Sequence, residues 1–367
     1  MKLLRILLSI ILLLIVVSIF AIACLVYFFD PNKLKPVIAA EVQRQTNYEL
    51  TIDSKLSWTL YPTLGISIPH MTLRAPQQTA AFIDLSDVTI ATDFKQLLKG
   101  TEKLEGDVHI KELKLMNLHA ESARIGIKWQ DQILTLSPLT TNLYKGSLEG
   151  IVHGKNFSSQ PNWDWNVQMK QVQLKPLLED VNGVDSKIKI DGLGDLNFQA
   201  TATGKAKDTI LNSTDGTLTF SLNNGAVDGV DINYMIQTAD AIISKQPIAP
   251  PANNQTAFSS LTGSMLIKNG VAQTDNLLLT SSSFTTKGQG QFNLMNQTMN
   301  LTLQVSPLNT TKIKGTLPIL ITGDIHSPSI KLDTAALDTD MVKDQLEKAK
   351  SKVQEKADKF LQKILGQ

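Results

Sequence analysis

Asp84 and Asp87 stand close together in the sequence, as do Asp191 and Asp195. Two neighbouring carboxylates can share general acid and base work when a pocket drives their pKa values apart. No pocket-forming motif accompanies either pair, so neither is expected to act as a catalytic dyad. The five histidines, His70, His109, His119, His153 and His326, are scattered, and none stands at a metal-ligand spacing such as H-x-x-x-H. Ordinary surface or strand roles are expected for all five. The single cysteine, Cys24, lies inside an apolar run, which excludes an intrachain disulfide and a Cys-based zinc site. G-x-S-x-G, G-x-x-x-x-G-K-[ST], H-E-x-x-H and a helix-opening G-x-G-x-x-G are all absent. Gly288-Gln289-Gly290 reads as a turn between strands. Trp129, Trp163 and Trp165 could form a carbohydrate platform, although core or strand-edge packing explains each. The expectation is a non-enzyme with no cofactor and no metal.

The elements that would position any site are mainly strands. From about Leu50 to Leu332 apolar residues recur with period 2, the pattern of half-covered antiparallel strands. Ile66 and Ile68, Leu196 and Phe198, Leu218, Phe220 and Leu222, and Leu301, Leu303 and Val305 show it. Ile83 and Leu85 pass to Val88 and Ile90, and Val108 and Ile110 pass to Leu113 and Leu115, with a change of phase that reads as a bulge or a turn. Turns are expected at Lys145-Gly146-Ser147, Asp191-Gly192, Asn223-Asn224-Gly225 and Lys268-Asn269-Gly270. Helical spacing appears from Leu34 to Val42, over Phe94 to Leu98, from Val230 to Ser244, and from Asp338 to Gln367. The last is amphipathic, suited to capping, to a partner helix or to a membrane interface. Gln246 to Gln255 reads as a loop.

Ile6 to Phe29 carries no charge and is long enough to cross a hydrocarbon core of ~30 Å as a helix. A cleaved signal normally has an apolar stretch of only ~7–15 residues. Ala21-Ile22-Ala23-Cys24 loosely resembles a lipobox, but Leu25 to Phe29 stays apolar where a lipoprotein turns polar. An uncleaved anchor is therefore expected. Lys2 and Arg5 favour a cytoplasmic N-terminus, while Lys33 and Lys35 follow on the other side. Asp30-Pro31-Asn32 ends the anchor helix. The chain's 35 Lys+Arg against 34 Asp+Glu give a net charge of +1 and no field that would steer the body to nucleic acid.

Phe29-Asp30-Pro31-Asn32, Leu50-Thr51-Ile52-Asp53, Leu56-Ser57-Trp58 and Tyr61-Pro62-Thr63-Leu64-Gly65-Ile66-Ser67-Ile68 resemble the opening of the AsmA family, anchored inner-membrane proteins with a periplasmic body. Gly216 to Phe220, Asn224 to Ile232, Phe258 to Gly270, Gly288 to Gly290 and Pro318 to Pro328 are similar to the family's later modules. The resemblance implies a sheet curled into a trough, related to the repeating β-groove bridge lipid-transfer proteins, with roles in outer-membrane biogenesis and phospholipid movement.

The expected architecture is mainly β. It comprises a transmembrane anchor (1–30), two β regions (31–150 and 151–335) forming a long curled antiparallel sheet with a few helices, and a C-terminal amphipathic helix (336–367). About 20 strands at ~4.8 Å spacing would reach on the order of 100 Å, too short to bridge two membranes alone. The expected function is phospholipid binding or transfer in an apolar β-groove during envelope biogenesis. Candidate groove residues are Leu218, Phe220, Leu301 and Leu303. The alternative is a scaffold or regulator of outer-membrane protein assembly. Membrane lipids and an envelope protein are the expected partners. The expected location is the bacterial inner membrane, single-pass, with the N-terminus cytoplasmic and the body periplasmic.

Overall fold

A computed structural model describes residues 30–59, 65–92, 103–182, 188–248, 250–251, 254–309, 312–313 and 315–333. The expected anchor helix, the Phe94 to Leu98 helix and the C-terminal helix lie outside these residues. Among the described residues no helix is long and apolar enough to cross a membrane. The fold is mainly β: among the described residues seventeen strands form an antiparallel sheet that does not close on itself. Its contacts divide the chain into two compact units, residues 1–157 and 158–367.

In the first unit a 3-10 turn, Pro31–Leu34, leads into α1, Lys35–Thr46. Asn47 ends α1 in the left-handed conformation, its N–H donating to the Gln43 carbonyl at 2.8 Å. Then come β1 (Glu49–Thr51), β2 (Ser57–Thr59), β3 (Gly65–Arg74), β4 (Ala81–Thr92), β5 (Leu104–Leu115), β6 (Leu118–Gln130), β7 (Ile133–Leu143) and β8 (Gly146–Lys155). Both β1 and β2 pair with β3, and from β3 onward each strand pairs with the next.

The expected phase change is a line of irregularity that crosses four strands. Pro69, Asp87, Lys111 and Ser122 each drop out of the ladder between paired neighbours. Asp87 and Ser122 sit at φ 51 and 54, conformations that redirect the following side chains without a change of register. Ile68, Val88 and Ile110 on one side of the line, and Met71, Leu85 and Leu113 on the other, thereby reach the same core.

The second unit runs β9 (Asn162–Gln173), α2 (Leu174–Asn182), β10 (Lys189–Thr203), α3 (Lys207–Asn212), β11 (Asp215–Asp228), α4 (Ile232–Ser244), β12 (Gln255–Lys268), β13 (Val271–Thr280), β14 (Phe284–Asn293), β15 (Thr298–Pro307), β16 (Leu317–Asp324) and β17 (Ser329–Leu332). Each strand pairs antiparallel with the next. A turn lies where expected at Asn269-Gly270, and another at Tyr144-Lys145, just ahead of Gly146 and Ser147, which open β8. Two others are corrected. Asp191-Gly192 lies inside β10 and Asn223-Asn224-Gly225 inside β11, facing each other across a shared register irregularity. A Cβ on Gly192 would stand 3.2 Å from the Gly225 Cα, so these glycines permit a close crossing of two strands.

Candidate functional site

The apolar face of the second unit is built from cross-strand rows, because residues directly opposite in an antiparallel ladder point the same way. One row runs Gly194, Leu222, Leu261, Leu279, Thr286, Val305, Leu317. A second runs Leu196, Phe220, Gly263 and, past the β12–β13 irregularity, Leu277, Gly288, Leu303, Ile319. A third begins Val167, Phe198, Leu218, Met265.

Helix α4 covers part of this face. Ile232, Ile236 and Ala239 on one side of α4 pack with Leu222, Phe258, Leu279, Phe284, Val305 and Leu317 into a single core. Asp231 caps α4 by accepting from the Tyr234 N–H at 2.8 Å. The Thr256 hydroxyl, on β12, accepts from the Ile232 N–H at 3.0 Å and donates to the Val230 carbonyl at 2.7 Å.

The four candidate groove residues share the face but not the environment. Leu303 belongs to the core beneath α4. Leu301 is buried in the ladder between Gly290 and Ile321. Phe220 is half-buried and packs against the core from its margin, and Leu218 is half-buried one row further out. Only Leu218 and Phe220 therefore offer surface to a ligand without dismantling the core.

The pair Gly288-Gln289-Gly290 lies within β14, not in a turn as expected. A Cβ on Gly288 would come within 2.7 Å of Leu277 and 2.8 Å of Leu303, and one on Gly263 within 2.9 Å of the Phe220 ring. Glycine here makes room for the large side chains of adjacent strands to lie over the sheet.

The indoles of Trp163 and Trp165 stack on β9, centroids 6.5 Å apart and 6° from parallel, and Trp165 meets Phe198 at 6.5 Å. Trp163 donates its ring N–H to the Gly204 carbonyl at 2.9 Å, and Trp129 packs on Phe157 at 5.2 Å. All three indoles thus engage in packing contacts.

The acid pairs are taken apart. Asp84 meets His70, while Asp87 pairs with Lys111 at 3.2 Å. Asp191 accepts from the Gly192 N–H, and Asp195 from the Gln171 N–H, each at 2.8 Å. An open hollow of about 520 Å³ beside the start of α4 is lined by Val230, Tyr234, Met235, Pro251 and Ile330. Another of about 560 Å³ has polar walls, including Ser264, Gln273, Gln289 and Asn300. Among the described residues no cluster could hold a metal ion.

Sequence reasoning missed a polar join in the first unit. Asp30 accepts from the Asn32 N–H at 2.9 Å, and Pro31 opens the 3-10 turn. The same carboxylate oxygen also accepts from the Asn32 side-chain amide at 2.8 Å. The Asn32 amide then brackets Leu56, donating to its carbonyl at 3.2 Å and accepting from its N–H at 2.9 Å. Leu56 is 4% exposed and packs with Ile68 and Val88. Ser54 does the same to His70, with hydroxyl–backbone bonds of 2.9 and 3.0 Å. The His70 ring lies between two carboxylates: Nδ1 is 3.0 Å from Asp53 and Nε2 is 3.1 Å from Asp84. The bond to Asp53 raises the His70 pKa above its ordinary value against a lesser opposing effect of burial, and the same bond lowers that of Asp53.

These residues include Asp30-Pro31-Asn32 and the leucine of Leu56-Ser57-Trp58. The AsmA family model matches residues 1–106 and 92–277, well over half of the sequence. The chain belongs to the AsmA family. Within the AsmA match lie the join, all of the first unit and the second unit through α4 and most of β13, whereas β14 to β17 lie beyond it. No curated protein and no solved structure matches the chain.

Proposed function

We propose that this AsmA-family protein is anchored in the bacterial inner membrane with its body in the periplasm, and that it serves envelope biogenesis by holding phospholipid acyl chains against the apolar face of the sheet. The observation that carries the reading is the run of apolar cross-strand rows in the second unit, which extends past the cover of α4 to half-buried Leu218 and Phe220. The uncharged run from Ile6 to Phe29 and the family membership support the anchor. Acyl chains need no directed hydrogen bonds, so a face without a polar constellation suits them. The hollow lined by Val230, Met235 and Ile330 adds apolar surface at the edge of the same core.

The test is native mass spectrometry with lipid extraction on residues 31–367 purified from a Gram-negative host. Phospholipid is expected to co-purify in stoichiometric amount. Leu218→Glu and Phe220→Glu should each lose most of it while the fold persists, because an unpaired carboxylate under acyl chains costs more than the about 2–7 kcal/mol of an unpaired neutral polar group. A stable, monodisperse, lipid-free body would sink the reading and favour a protein scaffold of outer-membrane assembly.

A further inference from the structure

We propose that Asp53, His70 and Asp84 form a proton-operated clasp that sets how firmly the 52–56 segment is held over the apolar core of the first unit. The clasp has three arms from three elements. Asp53 lies in the segment between β1 and β2, His70 is on β3 and Asp84 is on β4. Both ring nitrogens stand within hydrogen-bond distance of a carboxylate oxygen, 3.0 Å at Asp53 and 3.1 Å at Asp84. A neutral imidazole has one N–H and one lone pair. If it donates to one carboxylate, its lone pair faces the other, and that contact repels. Only the imidazolium donates to both, so the observed geometry is that of the protonated ring.

The clasp is positioned to matter beyond its own strength. Asp53 meets the ring at the start of the segment, Ser54 grips the His70 backbone, and Leu56 at its end is inserted into the core with Ile68, Val88 and Ile110. The same Leu56 backbone is bracketed by Asn32, the third of the described residues. Loosening 52–56 therefore loosens both the cover of Ile68 and Val88 and the footing of the chain that leaves the N-terminal apolar run. The charged groups facing the ring are few. They are Asp53 from the β1–β2 segment and Asp84 from β4, with Glu112 of β5 in the cross-strand row of His70 and Ser86, Lys114 of β5 across the ladder from Asp84, and Arg74 further along β3, engaged with Thr51.

The direction with pH follows from the two shifts. His70 titrates above its ordinary 6.5 in the fold, so its contribution is complete below 6.5 and is lost as pH rises through the higher folded value. Asp53 titrates below its ordinary 3.8, so its contribution is complete above 3.8 and fades as pH falls through the lower value. The clasp is closed in mildly acidic solution and opens on the alkaline side.

The experiment is hydrogen exchange by mass spectrometry on the full chain in detergent, at about pH 5.5 and about pH 8.5, either side of the ordinary histidine range. Rates are normalised to the intrinsic exchange rate at each pH. Peptides covering 52–58 should lose protection by about two- to five-fold at the higher pH, the scale of a half-exposed ion pair, while peptides of β13 and β14 stay level. His70→Gln should abolish that response and hold the segment at the less protected level. Unchanged normalised exchange in the native chain, or a pH response that survives His70→Gln, overturns the clasp. Should His70→Gln fail to fold, Asp84→Asn provides the check through the midpoint of the response, which should move down toward the ordinary histidine value. A midpoint that stays put overturns the proposal.

Discussion

The amide of Asn32 does work that its place in the sequence does not advertise. Asp30-Pro31-Asn32 reads as a helix breaker, and in the fold it opens a 3-10 turn, but the bracket on Leu56 depends on a residue 24 positions away. Periodicity carries no information about such a contact. The same holds for His70, which stands alone in the sequence and finds its carboxylates 17 and 14 residues away. Asp84 and Asp87 are near in sequence and not expected to act as a dyad; alternation and the φ of 51 at Asp87 send them to different partners. Asn32→Ala should cost about 1–3 kcal/mol in chemical denaturation of the full chain, since two hydrogen bonds to the backbone of a buried residue are lost. No measurable change would mean that water replaces the bracket freely.

Among elements, those with long and regular periods were legible. Apolar spacing from Val230 to Ser244 anticipated α4, which spans Ile232–Ser244, and the spacing after Leu34 anticipated α1. Strand alternation placed the faces correctly, so Leu218, Phe220, Leu301 and Leu303 do share one face. What alternation could not supply was cover, because the depth of each of the four depends on where α4 lands. Helices α2 and α3 went unforeseen: they have nine and six residues, too few turns for a period to declare itself between strands. In-strand glycines were mistaken for turns because the signal for a tight reversal and the signal for a close strand crossing are the same residue. The hold on α4 comes from Thr256, which is 1% exposed and bonded at both ends of its hydroxyl. Thr256→Val should destabilise the second unit by about 2–4 kcal/mol in denaturant unfolding, because it strands a buried N–H and a buried carbonyl. Exchange protection should fall first in α4, and a uniform loss across the unit would argue against this local role.

At the scale of the whole molecule, each unit holds its own core: Leu56, Val88 and Ile110 in the first, Val305, Leu317, Ile319 and α4 in the second. Residues 158–333 expressed alone should therefore give a β-type circular dichroism spectrum and one cooperative thermal transition. A broad, non-cooperative melt would show that the unit borrows stability from the rest of the chain. The strand order has a further consequence, for how such a chain can change length. Among the described residues, each strand from β9 to β17 pairs with its neighbours in sequence. Adding or deleting two strands in frame leaves the pairing rule intact on both sides, because an even number restores the strand direction. Each such event alters the sheet by about 10 Å of width. Reach is therefore a quantity that insertions and deletions can tune in uniform steps, with no need to invent a new topology at each one.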